Sequence, residues 1–278
     1  MPESLPLSVW PTAQQMARTQ RAGRYLPGSS DHPGKMLPAI ARATVLAYSQ
    51  PGDLVLDPMC GIGTTLIEAV HLGRDAVGVE YEPEWAALAE ANLALASSQG
   101  ATGTGEVVCG DARHLAGLVD PALRGLVALV VTSPPYGPSV HGQVRAGKGR
   151  VAKDHFRYSR DPANLAHRSF DELLDGFTAI LRACKDVLRP GGFVAVTARP
   201  WRRAGVLVDQ PGFVATCGTE AGLVPYERNV ALLAGLRDDG LVRRTSFFQQ
   251  DRVGKARAGG LPLLAIAHED LIVLRKPA

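Results

Sequence analysis

From residue 54 onward, short apolar runs alternate with segments of helical periodicity, and turn residues separate the two. Leu54-Val55-Leu56 reads as a buried strand after the Pro51-Gly52 breaker, and Leu37 to Ala47 before it reads as a helix. Thr64 to Leu72 then reads as helix, Ala76 to Glu80 as strand, Pro83 to Ser98 as a helix opened by proline, and Val107 to Cys109 as strand. Leu126 to Thr132 is apolar almost throughout, as expected of a parallel strand covered on both faces. Phe170 to Leu188 is amphipathic, Arg189-Pro190-Gly191-Gly192 turns, and Phe193 to Thr197 is a strand. Pro211 to Ala221 reads as helix, Tyr226 to Leu236 as strand and His268 to Leu274 as the last strand. This alternation is the signature of βαβ units and a parallel sheet, in which ligands bind beyond the carboxyl ends of the strands.

The 278 residues suit one elaborated α/β domain. Residues 1–36 read as a short helix (about 11 to 23) and a loop packed against the body that begins at residue 37. A hydrophobic content of 46% with 21% charged residues excludes a mostly disordered chain. No stretch approaches the roughly 18 to 20 apolar residues of a membrane span, so the expectation is a cytoplasmic protein. Cys60, Cys109, Cys184 and Cys217 form no CxxC pair, and neither a metal site nor a disulfide framework is signalled.

Asp57-Pro58-Met59-Cys60-Gly61-Ile62-Gly63-Thr64-Thr65-Leu66 places a Gly-x-Gly at a strand-to-helix turn, where backbone can approach a ligand closely. A dinucleotide fingerprint wants Gly or Ala where Leu66 stands, and a phosphate loop wants Gly-Lys-Ser or Gly-Lys-Thr, so a ligand without phosphate fits better. Glu80 ends the second strand of the series, where an acid can take both hydroxyls of a ribose. Asp111, in Cys109-Gly110-Asp111-Ala112, follows the third and can accept from an adenine amino group. Capping of turns is the competing explanation for each acid alone, and fits poorly for all three at one sheet edge.

On these residues the chain resembles the Rossmann-like S-adenosylmethionine-dependent methyltransferases. The resemblance makes Asp57, Met59, Cys60, Gly61, Gly63, Thr64 and Thr65 its glycine-rich motif, Glu80 and Tyr81 its ribose side, and Asp111 and Ala112 its adenine side. His32-Pro33-Gly34-Lys35-Met36 is similar to the segment that closes over the methionine part of the cofactor in amino-group DNA methyltransferases, implicating His32, Lys35 and Met36. The fold implied is a doubly wound, mostly parallel seven-stranded sheet with a C-terminal antiparallel hairpin, making 37–278 the catalytic domain. The cofactor implied is S-adenosyl-L-methionine.

Thr132-Ser133-Pro134-Pro135-Tyr136-Gly137 ends the fourth strand. Successive prolines remove two backbone donors and hold the chain extended, so the carbonyls of Ser133 and Pro134 can face a substrate, with an aromatic ring beside them for a planar base. An exocyclic amino nitrogen is delocalised into its ring and is a poor nucleophile. Accepting hydrogen bonds from its N–H groups returns lone-pair density and favours in-line attack on a sulfonium methyl. Ser-Pro-Pro-Tyr resembles the catalytic motif of cytosine-N4 DNA methyltransferases, which assigns Ser133, Pro134, Pro135 and Tyr136 to catalysis and implies site-specific DNA methylation of the restriction–modification kind. Here the cofactor motif precedes the catalytic one, the reverse of many cytosine-N4 enzymes, and the permuted arrangements share one fold. The alternatives are an adenine-N6 DNA enzyme, an RNA guanine-N2 or adenine-N6 enzyme, and a non-catalytic cofactor-binding module. The intact motifs argue against the last.

Chemistry at a base amino group requires a flipped or single-stranded target, and so a phosphate-gripping surface. Residues 137–169 break the α/β pattern and carry Arg145, Lys148, Arg150, Lys153, Arg157 and Arg160, which reads as a basic DNA-facing insertion. Residues 237–267 read as a second basic loop with Arg252, Lys255 and Arg257. The resemblance leaves room for a cognate restriction endonuclease as a partner.

Overall fold

The computed structural model describes residues 6–135, 143–147, 150–154, 161, 163–203, 206–238, 240–244 and 247–278. In chain order the strands are β1 (Val9–Trp10), β2 (Leu54–Asp57), β3 (Asp75–Glu80), β4 (Gly105–Cys109), β5 (Val127–Thr132), β6 (Gln143–Gly147) and β7 (Arg150–Asp154). They continue as β8 (Leu188–Ala198), β9 (Trp201–Arg203), β10 (Val206–Val208), β11 (Val224–Leu232), β12 (Ala234–Arg237), β13 (Gly240–Arg243) and β14 (His268–Arg275). The helices are α1 (Ala17–Arg21), α2 (Pro38–Tyr48), α3 (Thr64–His71), α4 (Pro83–Ser98), α5 (Leu115–Leu118), α6 (Phe170–Val187), α7 (Gln210–Glu220) and α8 (Phe247–Ala258).

One eight-stranded sheet runs β1-β11-β14-β8-β5-β2-β3-β4. From β8 to β4 every pairing is parallel, whereas β14 lies antiparallel to both β8 and β11. Alternate side chains of each central strand enter opposite cores: Leu56, Val130, Ile272 and Leu274 pack under α6 and α7, and Val55, Leu129, Val131, Leu271 and Val273 under α2, α3 and α4. Both faces are therefore covered, as the unbroken apolar character of β5 requires.

The sequence expectation of seven strands misses β1, a two-residue strand pairing Val9 with Val230 in parallel and extending the sheet by one. Such a strand is too short to show a period, and the helix expected over about 11 to 23 shrinks to α1 for the same reason. The expected turn at Arg189 to Gly192 is absorbed as an irregular start of β8, with Gly191 at φ +72°. The stretch 237–267 is only partly a loop. It closes the hairpin β12–β13 and then forms α8, whose sequence FFQQDRVGKARA carries no apolar stripe but has helix formers and a Lys255–Asp251 pair one turn apart. In the other basic insertion, β6 and β7 form an antiparallel hairpin.

Candidate active site

The order of the sheet reverses between β2 and β5, and the crevice beyond their carboxyl ends is the topological switch point. Asp57 ends β2, Glu80 ends β3, Asp111 follows β4 and Ser133 follows β5, so four parallel strands deliver these residues to one edge. They line one cleft with an empty volume of about 910 Å³, its mouth included.

Gly61 and Gly63 turn the chain from β2 into α3 with φ of +53° and +80°. Gly61 lies on the cleft wall, where a β-carbon would sit 3.0 Å from His32 Nε2. Gly63 does not line the cleft. A β-carbon there would meet Ile67 Cδ1 at 2.9 Å and Ala89 Cβ at 3.2 Å, so its absence lets α3 pack on α4. Gly63 thus shapes the turn from behind.

Asp57 is buried, with Oδ2 accepting from the Thr65 hydroxyl at 2.7 Å and Oδ1 from the Met59 N–H at 3.1 Å. Glu80 accepts from the Gly61 N–H at 2.8 Å and the Glu82 N–H at 2.9 Å. These partners are neutral, and burial pushes Asp57 up to about 6 and Glu80 up to about 7. Among the described residues these two buried acids have no cationic partner, which disfavours a phosphate and favours a ligand bringing hydroxyl donors and positive charge. Both features belong to a sulfonium nucleoside, so the residues fit S-adenosylmethionine. Burial also lifts the Cys60 thiol well above its usual range, so Cys60 acts as apolar wall rather than thiolate.

Asp111 caps a turn through the Arg113 N–H at 2.9 Å and holds the Arg113 guanidinium with both oxygens. The hydrogen bonds from Arg113 keep its carboxyl below the usual range despite the opposing cost of burial, so it meets a ligand as an ionised acceptor. Met59, Thr64, Tyr81 and Ala112 complete the walls expected from sequence.

The segment His32–Met36 closes the cleft from the other side. Lys35 Nζ donates to the carbonyls of Ser30, at 2.8 Å, and of His32, and burial lowers it to about 8. His32 stands edge-on to Trp85 with ring centres 4.8 Å apart and accepts from the Gly34 N–H at 3.3 Å. Just upstream, a network ties residues 24 and 25 to α3: Arg24 donates to both oxygens of Glu68 at 2.7 and 2.8 Å, and the Tyr25 hydroxyl donates to Glu68 at 2.9 Å; the Arg21 guanidinium donates to the Met36 carbonyl at 2.5 Å.

Ser133 and Pro135 face the cleft, with Pro134 buried between them. Tyr136 and Lys148 lie outside the described residues. Arg145, Arg150, Lys153 and Arg252 are placed by backbone alone. Lys255 is tied to Asp251 at 2.8 Å and Arg257 donates to the Leu263 carbonyl at 3.2 Å.

Sequence reasoning missed the wall formed by Ala163, Asn164, Leu165 and Ala166. Asn164 caps a short turn by accepting from the Ala166 N–H at 2.9 Å and donates to Glu82 at 2.7 Å, while the Tyr81 hydroxyl donates to Asp161 at 2.5 Å. An Asn capping signal was readable there, but nothing local linked it to acids some eighty positions earlier. Arg113 was visible as Asp111's near neighbour and was not paired with it.

Residues 3–91 match the DNA methylase family of N6- and N4-methyltransferases. The tRNA (guanine(10)-N2)-dimethyltransferase of Methanocaldococcus jannaschii is 36% identical over 123 residues, covering 44% of this chain and 33% of that protein. The Type II methyltransferase M.SmaI of Serratia marcescens is 47% identical over 55 residues, 20% of this chain and 19% of that one. The matched part thus spans a third or less of these curated relatives. Among solved structures, TrmN from Thermus thermophilus superposes with a TM-score of 0.52 at 19% identity, covering 92% of this chain and 53% of that one, which shows the fold.

Proposed function

We propose that this chain, which belongs to the amino-group DNA methyltransferase family, transfers a methyl group from S-adenosylmethionine to the exocyclic N4 of cytosine in DNA. The observation that carries the reading is the meeting of Ser133 and Pro135 with Asp57, Glu80 and Asp111 in one cleft at the switch point. Glu80 accepts from the ribose hydroxyls, Asp111 from the adenine amino group, and the His32–Met36 segment covers the methionine part. The bound cofactor supplies a sulfonium methyl. Ser133 bonds the flipped base, Pro134 presents its carbonyl to the amino group and Tyr136 stacks on the ring, raising the nitrogen's nucleophilicity as its protons are held.

The insertions after β5 and β11 leave the sheet at the same edge, and the reading gives Arg145, Lys148, Arg150 and Lys153, with Arg252, Lys255 and Arg257, to the phosphates around the target. No helix of the described residues is long and apolar enough to cross a membrane. The reading carries with it a cytoplasmic location and a cognate restriction endonuclease as partner. A second reading is methylation of a guanine or adenine amino group in RNA, favoured by the longer alignment with the tRNA enzyme, 123 residues against 55 for M.SmaI. Sequencing with modification detection on DNA and RNA from cells expressing the parent or Tyr136→Ala tests both. The first reading requires N4-methylcytosine in DNA that disappears in the variant.

A further inference from the structure

Gln210, the first residue of α7, is 2% exposed and carries no role in the reading above. Its Nε2 donates to the Pro135 carbonyl at 3.4 Å, and its Oε1 accepts from the Trp201 indole N–H at 3.0 Å. Trp201 opens the hairpin β9–β10, which leaves the sheet beyond the carboxyl end of β8, beside Ser133. A tripartite contact therefore joins this hairpin, the start of α7 and the Ser-Pro-Pro loop.

The chemistry of the three groups fixes its direction. An indole N–H only donates, so it holds the oxygen of the Gln210 amide toward Trp201 and leaves the NH₂ for Pro135. A flipped amide would set oxygen against oxygen at Pro135 and leave the indole proton facing NH₂. Pro134 and Pro135 have no N–H, so that pair can be anchored through its backbone only by carbonyls. Gln210 takes that of Pro135, and because the peptide is planar, fixing this oxygen fixes the plane that follows it.

We propose that Gln210, oriented by Trp201, is a positioning residue for the Ser133–Pro135 loop, and that the β9–β10 hairpin acts on methyl transfer through it. The proposal rests on the reading of that loop as the base-binding element. Trp201→Phe keeps a smaller aromatic ring and removes the donor, while Gln210→Leu removes both contacts. Each should lower kcat about five- to tenfold with S-adenosylmethionine affinity held within about twofold. Because Trp201 acts through Gln210, adding Trp201→Phe to Gln210→Leu should change kcat no further. Independently of activity, the carbon resonances of Pro135 in proline-labelled protein should shift in both single variants, and the Trp201 indole N–H signal should move in Gln210→Leu. Multiplicative losses in the double variant, or an unmoved Pro135 signal in folded Trp201→Phe, would overturn the proposal. Should the parent methylate neither genomic DNA nor total tRNA, the functional reading fails, and the proline signals alone decide the contact.

Discussion

The Gly61 N–H donates to Glu80 at 2.8 Å, so the turn after β2 and the end of β3 are joined through the carboxylate that faces the cleft. Burial holds that carboxyl at about 7 against its ordinary 4.5. Ribose hydroxyls and a sulfonium charge both favour the ionised form, so cofactor affinity should rise as pH increases through about 6 to 7, by up to about tenfold per unit for one proton. For the ligand-free protein, a raised acid binds more protons folded than unfolded, so stability is highest below pH 4.5 on this account and falls as pH rises to about 7. Calorimetry at pH 6 and 8 on the parent and Glu80→Gln checks this, and the variant should flatten the profile to the part owed to Asp57.

The two glycines of the turn should fail differently. Gly63→Ala places a side chain at φ +80° against Ile67 and Ala89 and should cost about 2 kcal/mol of stability. Gly61→Ala drives into His32 and should weaken cofactor binding by more than its loss of stability explains. Thermal melts with and without S-adenosylmethionine separate the two outcomes.

Arg24→Met strands Glu68, which is buried and keeps, among the described residues, the Tyr25 hydroxyl as its side-chain donor. The loss should be about 2 to 3 kcal/mol, with Arg24 itself part-exposed. Since the network ties the chain just before the cleft-closing segment to α3, proteolysis near residues 26–36 should accelerate in the variant and slow again when cofactor is added.

Replacing Arg145, Lys148, Arg150 and Lys153 by Ala should raise the apparent KM for DNA and flatten the salt dependence of binding. Each phosphate contact removed takes about 0.9 from the log–log slope. Cofactor affinity should barely change. If the parent's salt slope persists, the phosphate contacts shift to α8 and the β12–β13 hairpin.

What was legible in the sequence was what period and local chemistry encode. The strand-end acids Asp57, Glu80 and Asp111 and the Gly61 turn could be placed because each follows an apolar run on a strand of known direction. Long-range pairing was not legible: Asn164 reaches Glu82, and Gln210 reaches Pro135, across dozens of residues with no periodic signal. Gly63 could be seen to turn the chain, but its role in packing Ala89 needed the third dimension. The helix α8 escaped because it rests on helix propensity and one Lys255–Asp251 pair instead of an apolar stripe.

DNA and RNA methylation are separated by incubating the purified chain with isotopically labelled S-adenosylmethionine and, in parallel, unmethylated DNA and total tRNA, then digesting each to nucleosides for mass spectrometry. The expected result is label in N4-methylcytosine from DNA, abolished in Tyr136→Ala while that variant still binds cofactor within a few-fold of the parent. Label confined to a methylated guanine or adenine of tRNA would contradict it and establish the RNA reading in its place.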